Sequence, residues 1–103
     1  MGITTSLSND NTTVTLAISG NFNAEMQREF REAYSEYAKE HSNLSYVLDL
    51  SKTEYMDSSA LGMLLLLKES VGDDKSRVTI RGANDFIKDI LEITNFGDLF
   101  TIA

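Results

Sequence analysis

The sequence contains no cysteine, no proline and only one histidine among its 103 residues. Without cysteine the chain forms neither disulfides nor thiolate sites, which excludes a secreted disulfide scaffold and cysteine chemistry. A lone His41 does not supply the cluster of ligands that a zinc centre requires. We therefore predict no metal and no cofactor. The absence of proline and of low-complexity segments predicts a chain that is compact throughout.

Long hydrophobic runs are also missing. The longest nearly uninterrupted apolar segment, residues 60–67, is far shorter than the roughly twenty residues needed to cross a bilayer. The first ten residues, MGITTSLSND, lack the basic region and apolar run of a secretion signal. We therefore expect a buried helix at residues 60–67, no membrane association and a cytoplasmic location.

Basic residues are few: nine, against sixteen acidic residues, which gives a formal net charge of −7. This balance argues against binding to a nucleic acid or to an anionic membrane surface, because both carry negative charge. A protein is the expected partner. The length predicts a single domain, residues 1–103, with one hydrophobic core.

Hydrophobic periodicity predicts alternating strands and helices. An edge strand at 3–8 precedes an alternating strand at 12–19, and residues 20–23 break that strand before a first helix. Residues 46–50 form an interior strand that we expect to be central and covered on both faces. The resulting order is β-β-α-β-α-β-α-β, an α/β fold with a mixed sheet and helices on one or both faces. The remaining predicted elements are a helix at 58–71, a strand at 77–81, a helix from 85 and a strand at 99–102.

The most informative segment is YVLDLSKTEYMDSSALGMLLLLKES, residues 46–70. It predicts an apolar strand, a short polar connection and a very apolar helix that begins at Asp57-Ser58-Ser59. Either Asp57 or Ser58 can cap this helix through a side-chain oxygen, as Asn23 can cap the first helix. Tyr55 and Met56 are expected in the loop, either exposed as recognition contacts or folded inward. The leucines at 64–67 are expected in the core, with any surplus at an interface.

The residues Tyr46-Val47-Leu48-Asp49-Leu50 followed by Tyr55-Met56-Asp57-Ser58-Ser59-Ala60-Leu61-Gly62 resemble the signature of STAS domains of the anti-sigma factor antagonist type. The resemblance implies a partner-switching regulator without enzymatic activity. Unphosphorylated, such a protein binds an anti-sigma factor that is also a serine kinase, or a related regulator. The kinase has a histidine-kinase-like ATPase fold, and a metal-dependent phosphatase reverses the modification.

Carried over to this sequence, the resemblance makes Ser58 the phosphorylated residue. Ser59 is the alternative acceptor and the expected packing or capping group. The residues implied in partner binding surround the same corner of the fold. They are Phe22, Asn23, Tyr55, Met56, Asp57, Ser58 and Ser59.

The sequence departs from the family pattern at three points. Ala60 replaces a glycine that is common after the two serines, and Asn23 replaces an aspartate that helps to shape the phosphorylation corner in many relatives. The sequence also stops at Ala103, without the C-terminal helix of longer members. We interpret this as a short subtype or a trimmed chain.

Two alternatives remain open from the sequence. The first is a constitutive STAS adaptor, a small subunit of a larger signalling or lipid-transport complex, whose serine is never phosphorylated. The second is a hydrolase that uses Asp49 and Asp57 as paired carboxylates, although no nucleophile or basic partner accompanies them. An open sheet edge and the exposed part of the helix at 60–67 are compatible with a monomer or a weak dimer.

Overall fold

The computed structural model describes residues 2–40, 43–72 and 77–103, so that His41 lies outside the described residues. It has a five-stranded sheet and three α-helices in the predicted order β-β-α-β-α-β-α-β. Short 3-10 turns at Ala24–Met26 and Phe96–Asp98 precede the first α-helix and the last strand. The strands are β1 (Gly2–Leu7), β2 (Thr13–Phe22), β3 (Ser45–Met56), β4 (Val78–Arg81) and β5 (Thr101–Ile102). The helices are α1 (Gln27–Glu40), α2 (Ser58–Val71) and α3 (Asp85–Ile93).

The strands lie in sequence order across the sheet, with β1 antiparallel to β2 and all later neighbours parallel. Crossovers between parallel strands are right-handed in nearly all proteins, so strands that advance in one direction place every helix on the same face. Burial agrees with this arrangement. Along β3, Tyr46, Leu48 and Leu50 are buried, whereas Val47 and Asp49 are only half-buried. The expectation that this strand is covered on both faces is therefore wrong, although its central position is confirmed.

The core lies between this face of the sheet and the apolar sides of the three helices. Phe30 of α1 packs on Phe22 of β2, with ring centroids 5.3 Å apart, and on Tyr34, at 5.5 Å. Such aromatic packing adds to the burial of apolar area that stabilises the fold. The helices contribute the following buried residues: Phe30, Tyr34, Ala60, Met63, Leu64, Leu67, Ile87 and Leu91.

The two longest strands, β2 and β3, both extend beyond their predicted ends. Residues 20–23 were expected to break β2, but the strand continues to Phe22, which pairs with Met56. Gly20 has a φ of +84°, and the register shifts beside it, so the glycine accommodates an irregularity instead of ending the strand. Tyr55 and Met56 consequently belong to β3 and not to a loop.

Candidate functional site

Three helical segments begin at the edge of the sheet where β2, β3 and β4 end, which we call the carboxyl edge. A side-chain oxygen caps each of them. Asn23 Oδ1 accepts a hydrogen bond from the Glu25 N–H at 3.1 Å, and Asn84 Oδ1 accepts one from the Ile87 N–H at 2.8 Å. Asp57 lies between these two caps, because β3 lies between β2 and β4. The carboxyl edge therefore places the predicted serine corner at the centre of the site.

Asp57 is the N-cap of α2. Its Oδ1 accepts hydrogen bonds from the Ser59 N–H at 3.0 Å and the Ala60 N–H at 3.2 Å. The backbone of Asp57 is extended, as a capping residue requires, and Ser58 is the first residue inside the helix. The sequence left Asp57 and Ser58 as equal candidates for the cap. The structure assigns this role to Asp57.

Both serines that follow are exposed, and neither hydroxyl makes a hydrogen bond within the described part of the chain. The expectation that Ser59 packs or caps is therefore wrong, because the carboxylate of Asp57 already bonds the Ser59 backbone N–H. Ser58 lies at the N-terminus of a fourteen-residue helix, where the helix dipole stabilises an anion. Its hydroxyl is thus available for modification without loss of a structural contact.

The outer line of α2 continues from Ser58 through Gly62 and Leu65, which follow at helical spacing. A Cβ at Gly62 would meet nothing within 4 Å, so the protein itself gives no packing reason for this glycine. Ala60, by contrast, is fully buried, and its methyl group packs into the core. The substitution of alanine for the common glycine therefore changes the inside of the first turn and leaves the serine hydroxyls outside.

Phe22 and Met56, which the sequence placed among the partner contacts, are both buried. They pair across β2 and β3 directly beneath the carboxyl edge. In this conformation neither side chain reaches the surface, so we do not include these two residues in the proposed partner surface. Their role is to support the edge, because they pack into the core immediately before Asn23 and Asp57.

Tyr55 points outward, with 46% of its surface exposed. Its ring stacks on that of Phe86, which is 49% exposed, with centroids 5.5 Å apart and planes inclined by 18°. The sequence motifs did not single out Phe86 as a surface residue. Its immediate neighbour, Ile87, is buried, and adjacent helical residues point about 100° apart, which is the signal that separates Phe86 from the core.

Asn84 fixes this aromatic pair in place. Its Nδ2 donates to the carbonyl oxygens of Thr53 and Glu54, each at 3.3 Å, and thereby ties the start of α3 to the end of β3.

Gly82 packs closely beside Ser51, where an added Cβ would approach the Ser51 backbone nitrogen to 3.0 Å. The positive φ of Gly82, +75°, is a second reason for glycine at this position.

Asp49 and Asp57 do not share a site. Asp57 directly follows β3 and lies eight residues after Asp49, a span of roughly 25 Å in an extended chain. Asp49 Oδ1 accepts a hydrogen bond from the Ser51 N–H at 3.0 Å, and Oδ2 lies 3.4 Å from the Arg81 guanidinium. The hydrogen bonds from Ser51, and secondarily the charge of Arg81, lower the pKa of Asp49. The paired-carboxylate hypothesis therefore fails on geometry.

Two further observations concern only the described residues 2–40, 43–72 and 77–103. No group of three or more histidine, aspartate or glutamate side chains converges in a way that could hold a metal ion. None of the helices combines the length and the apolar character needed to span a bilayer.

Comparison with known proteins identifies the family. Residues 5–101 match the family described as "Mlab, STAS domain". The chain is also 38% identical to the STAS-domain containing protein PA14_20770 of Pseudomonas aeruginosa, and the match covers the full length of both sequences. The chain belongs to the STAS domain family, which confirms the resemblance inferred from residues 46–62.

Solved structures agree on the fold. A proposed anti-sigma factor antagonist from Thermotoga maritima superimposes with a TM-score of 0.82 at 21% identity, covering 97% of this chain and 84% of the other. The anti-sigma factor antagonist SpoIIAA in its unphosphorylated form gives 0.75 at 13% identity, covering 99% and 87%. The phosphorylated form of SpoIIAA from Bacillus gives 0.74 at 14% identity, covering 99% and 91%. The chain thus has the fold of the anti-sigma factor antagonists.

Proposed function

We propose that this protein is a partner-switching regulator controlled by phosphorylation of Ser58. Unphosphorylated, it binds an anti-sigma factor that is also a serine kinase, or a related regulator, and phosphorylation of Ser58 releases it. A metal-dependent serine phosphatase would restore the binding form. The observation that carries the proposal is the exposed, unbonded hydroxyl of Ser58 at the N-terminus of α2, beside a cap that Asp57 supplies by itself.

This arrangement separates modification from folding. A phosphate adds about −1.5 to −2 charge and three acceptor oxygens, and a helix N-terminus tolerates an anion. No described hydrogen bond of the Ser58 side chain has to break when the phosphate is attached. SpoIIAA supports the same point, because its structures with and without phosphate match this fold almost equally well, with TM-scores of 0.74 and 0.75.

Release would follow from the position of Ser58 on the surface. A partner that packs against Ser58 and the neighbouring Tyr55 would have to accommodate added bulk and desolvate a doubly charged group. We propose Asn23, Tyr55, Asp57, Ser58 and Ser59 as the exposed or half-buried contacts of this surface. The protein itself would carry out no catalysis. It would act in the cytoplasm as one domain, monomeric or weakly dimeric.

The second candidate is a constitutive adaptor subunit of a larger signalling or lipid-transport complex. The family description is the reason to retain this adaptor candidate, because the description names Mlab and not an anti-sigma factor antagonist. In an adaptor the Ser58 corner would still contact a partner, but its hydroxyl would never be modified. Phosphorylation, and not binding, therefore distinguishes the two candidates.

Matched variants of Ser58 test the proposal. Serine kinases of the histidine-kinase-like ATPase fold from the source genome are purified, and their binding to the wild type, Ser58→Ala and Ser58→Asp is titrated. We expect Ser58→Ala to bind as the wild type does and Ser58→Asp to bind at least about tenfold more weakly. Ser59→Asp is the control and should bind better than Ser58→Asp. Equal affinity of Ser58→Ala and Ser58→Asp would favour the adaptor.

A further inference from the structure

The outer side of α3 carries more apolar surface than its packing requires. Ile93 is 79% exposed, Phe86 is about half exposed and Ile90 is half-buried, while Ile87 and Leu91 face the core. Phe86, Ile90 and Ile93 follow one another at helical spacing and therefore share one side of the helix. Tyr55 extends this row from the end of β3 by stacking on Phe86. We call Tyr55, Phe86, Ile90 and Ile93 the α3 stripe.

The α3 stripe begins beside the Ser58 corner. Tyr55 is only three residues before Ser58, and Asn84 holds the start of α3 against the carbonyl groups of Thr53 and Glu54. From there α3 runs away from the carboxyl edge for nine residues, or about 13 Å. A partner seated on the stripe would therefore contact Ser58 at one end.

The border of the α3 stripe is acidic. Asp85 and Asp89 lie on one flank of the stripe, are exposed and form no salt bridge within the described part of the chain. Lys88, the only cation of α3, lies about 160° from Ile90, on the same far flank as Glu92, with which it lines a groove. A second copy of this chain would bring another acidic border and another net charge of −7 to this surface. The charge pattern instead fits a partner whose apolar surface has a basic rim.

A second exposed apolar group, on α2, has a different electrostatic setting. Leu66 is 48% exposed, comparable to Phe86, but it lies in a groove beside Arg31 of α1. Arg28, also exposed on α1, forms an ion pair with Glu32 at 3.8 Å. A basic partner would meet the cation of Arg31 beside Leu66, whereas it would meet the carboxylates of Asp85 and Asp89 beside the α3 stripe. This difference in charge favours the α3 stripe as the docking surface.

We propose that the α3 stripe is the docking surface for the protein partner of this chain, and that the partner covers it with an apolar surface bearing a basic rim. This inference rests on the proposed function only in assuming that a partner contacts the Ser58 corner. The rigid Tyr55–Phe86 pair is the anchor, because stacked aromatic rings that are already fixed lose little conformational freedom on binding. Asp89 lies about one turn farther along α3 than Phe86, so the rim contacts Asp89 and not Ser58.

Cross-linking in the source cells identifies the partner independently of phosphorylation. The photoreactive residue p-benzoylphenylalanine is placed at position 89, on the border of the α3 stripe, and in a parallel strain at position 69, on the outer line of α2. We expect a protein adduct from position 89 that is absent or much weaker from position 69. An adduct from position 69 alone, or none from position 89, would overturn the docking surface.

Titration of the purified, cross-linked partner then measures each contact. We expect Phe86→Ala to lower the affinity at least about tenfold and the matched control Leu66→Ala to change it less than about threefold. Asp89→Lys should weaken binding, whereas Lys88→Glu, on the far flank, should leave it within about threefold of wild type. Wild-type affinity for Phe86→Ala, or a greater loss for Leu66→Ala, would refute the proposal. Circular dichroism and thermal unfolding of each variant verify that it is folded.

The same partner separates this inference from the proposed function. Loss of binding by Phe86→Ala together with full binding by Ser58→Asp would establish the docking surface and refute the phosphorylation switch. Loss of binding by Ser58→Asp together with full binding by Phe86→Ala would establish the phosphorylation switch and refute the docking surface.

Discussion

At the scale of single residues, the site depends on a division of roles between Asp57 and Ser58. Asp57 holds the first turn of α2 through two backbone hydrogen bonds, and Ser58 extends from the surface without a bond of its own among the described residues. A hydroxyl that also capped the helix would link modification to unfolding. Here the cap and the proposed site of modification lie on neighbouring side chains.

This division predicts that two neighbouring substitutions affect the free energy of unfolding unequally. Asp57→Ala should lower the free energy of unfolding by about 0.5–2 kcal/mol, because the cap is lost. Ser58→Ala should change it by less than about 0.5 kcal/mol, since an exposed side chain with no described contact is removed. Urea denaturation followed by circular dichroism measures both, with Ser59→Ala as the control. A larger loss for Ser58→Ala than for Asp57→Ala would contradict the assignment of the cap.

Asp49 gives a pH-dependent prediction at the same scale. The Ser51 hydrogen bonds lower its pKa in the folded protein, so folding favours the ionised form. Its contribution is therefore complete above the pKa of the unfolded chain and is lost as the pH falls through the lower, folded value. Asp49→Asn should destabilise the protein at pH 7, with a difference from wild type that shrinks below about pH 4.

Urea denaturation at a series of pH values measures this difference. Asp98→Asn serves as the control, because its carboxylate makes no hydrogen bond or salt bridge among the described residues. A difference between Asp49→Asn and wild type that persists unchanged at pH 3 would show that the ionised carboxylate is not the stabilising form.

At the scale of the elements, the sequence predicted α2 well because several signals agree there. A capping aspartate, a continuous apolar helix and a terminal glycine locate residues 58–71. The sequence did not predict where β2 and β3 end. Residues 51–56 look like a polar connection in isolation, but pairing with β2 extends the strand, and the buried Thr53 hydroxyl donates to the Ile18 carbonyl at 2.7 Å. The local composition of residues 51–56 carries no information about their pairing with β2.

The four leucines of α2 allow a direct test of this element. Leu64 and Leu67 are fully buried, so the expectation of a core position is confirmed for these two. Leu65 and Leu66 are exposed and form the surplus, whose place at an interface stays a prediction. Leu64→Ala should lower the free energy of unfolding by about 2–5 kcal/mol, because it leaves a cavity in the core. Leu65→Ala, the same chemical change on the outside of the helix, should cost less than about 1 kcal/mol. Similar losses for both, measured by urea denaturation, would contradict the orientation of α2.

At the scale of the whole molecule, sequential parallel strands leave one face of the sheet without helices and bring three helical starts to one edge. The sequence predicted the order of elements but not this one-sided cover, which follows from the topology. Family resemblance named Ser58 as the phosphorylated residue, which stays a prediction. Of Tyr55 and Met56, the two candidates for exposure, Tyr55 is the exposed one. Phe86 was missed because its contact with Tyr55 joins residues thirty-one positions apart on different elements. The buried positions of Phe22 and Met56 depend on the same long-range pairing.

We propose that phosphate on Ser58 releases the partner without unfolding this protein. The most direct measurement is a titration of the purified partner with the unphosphorylated chain and with the chain carrying one phosphate, mapped by fragmentation mass spectrometry. We predict that the phosphate lies on Ser58, that the affinity falls at least about tenfold and that the thermal midpoint shifts by no more than a few degrees. A phosphate confined to Ser59, no phosphate at all, or equal affinity of the two forms would contradict the account.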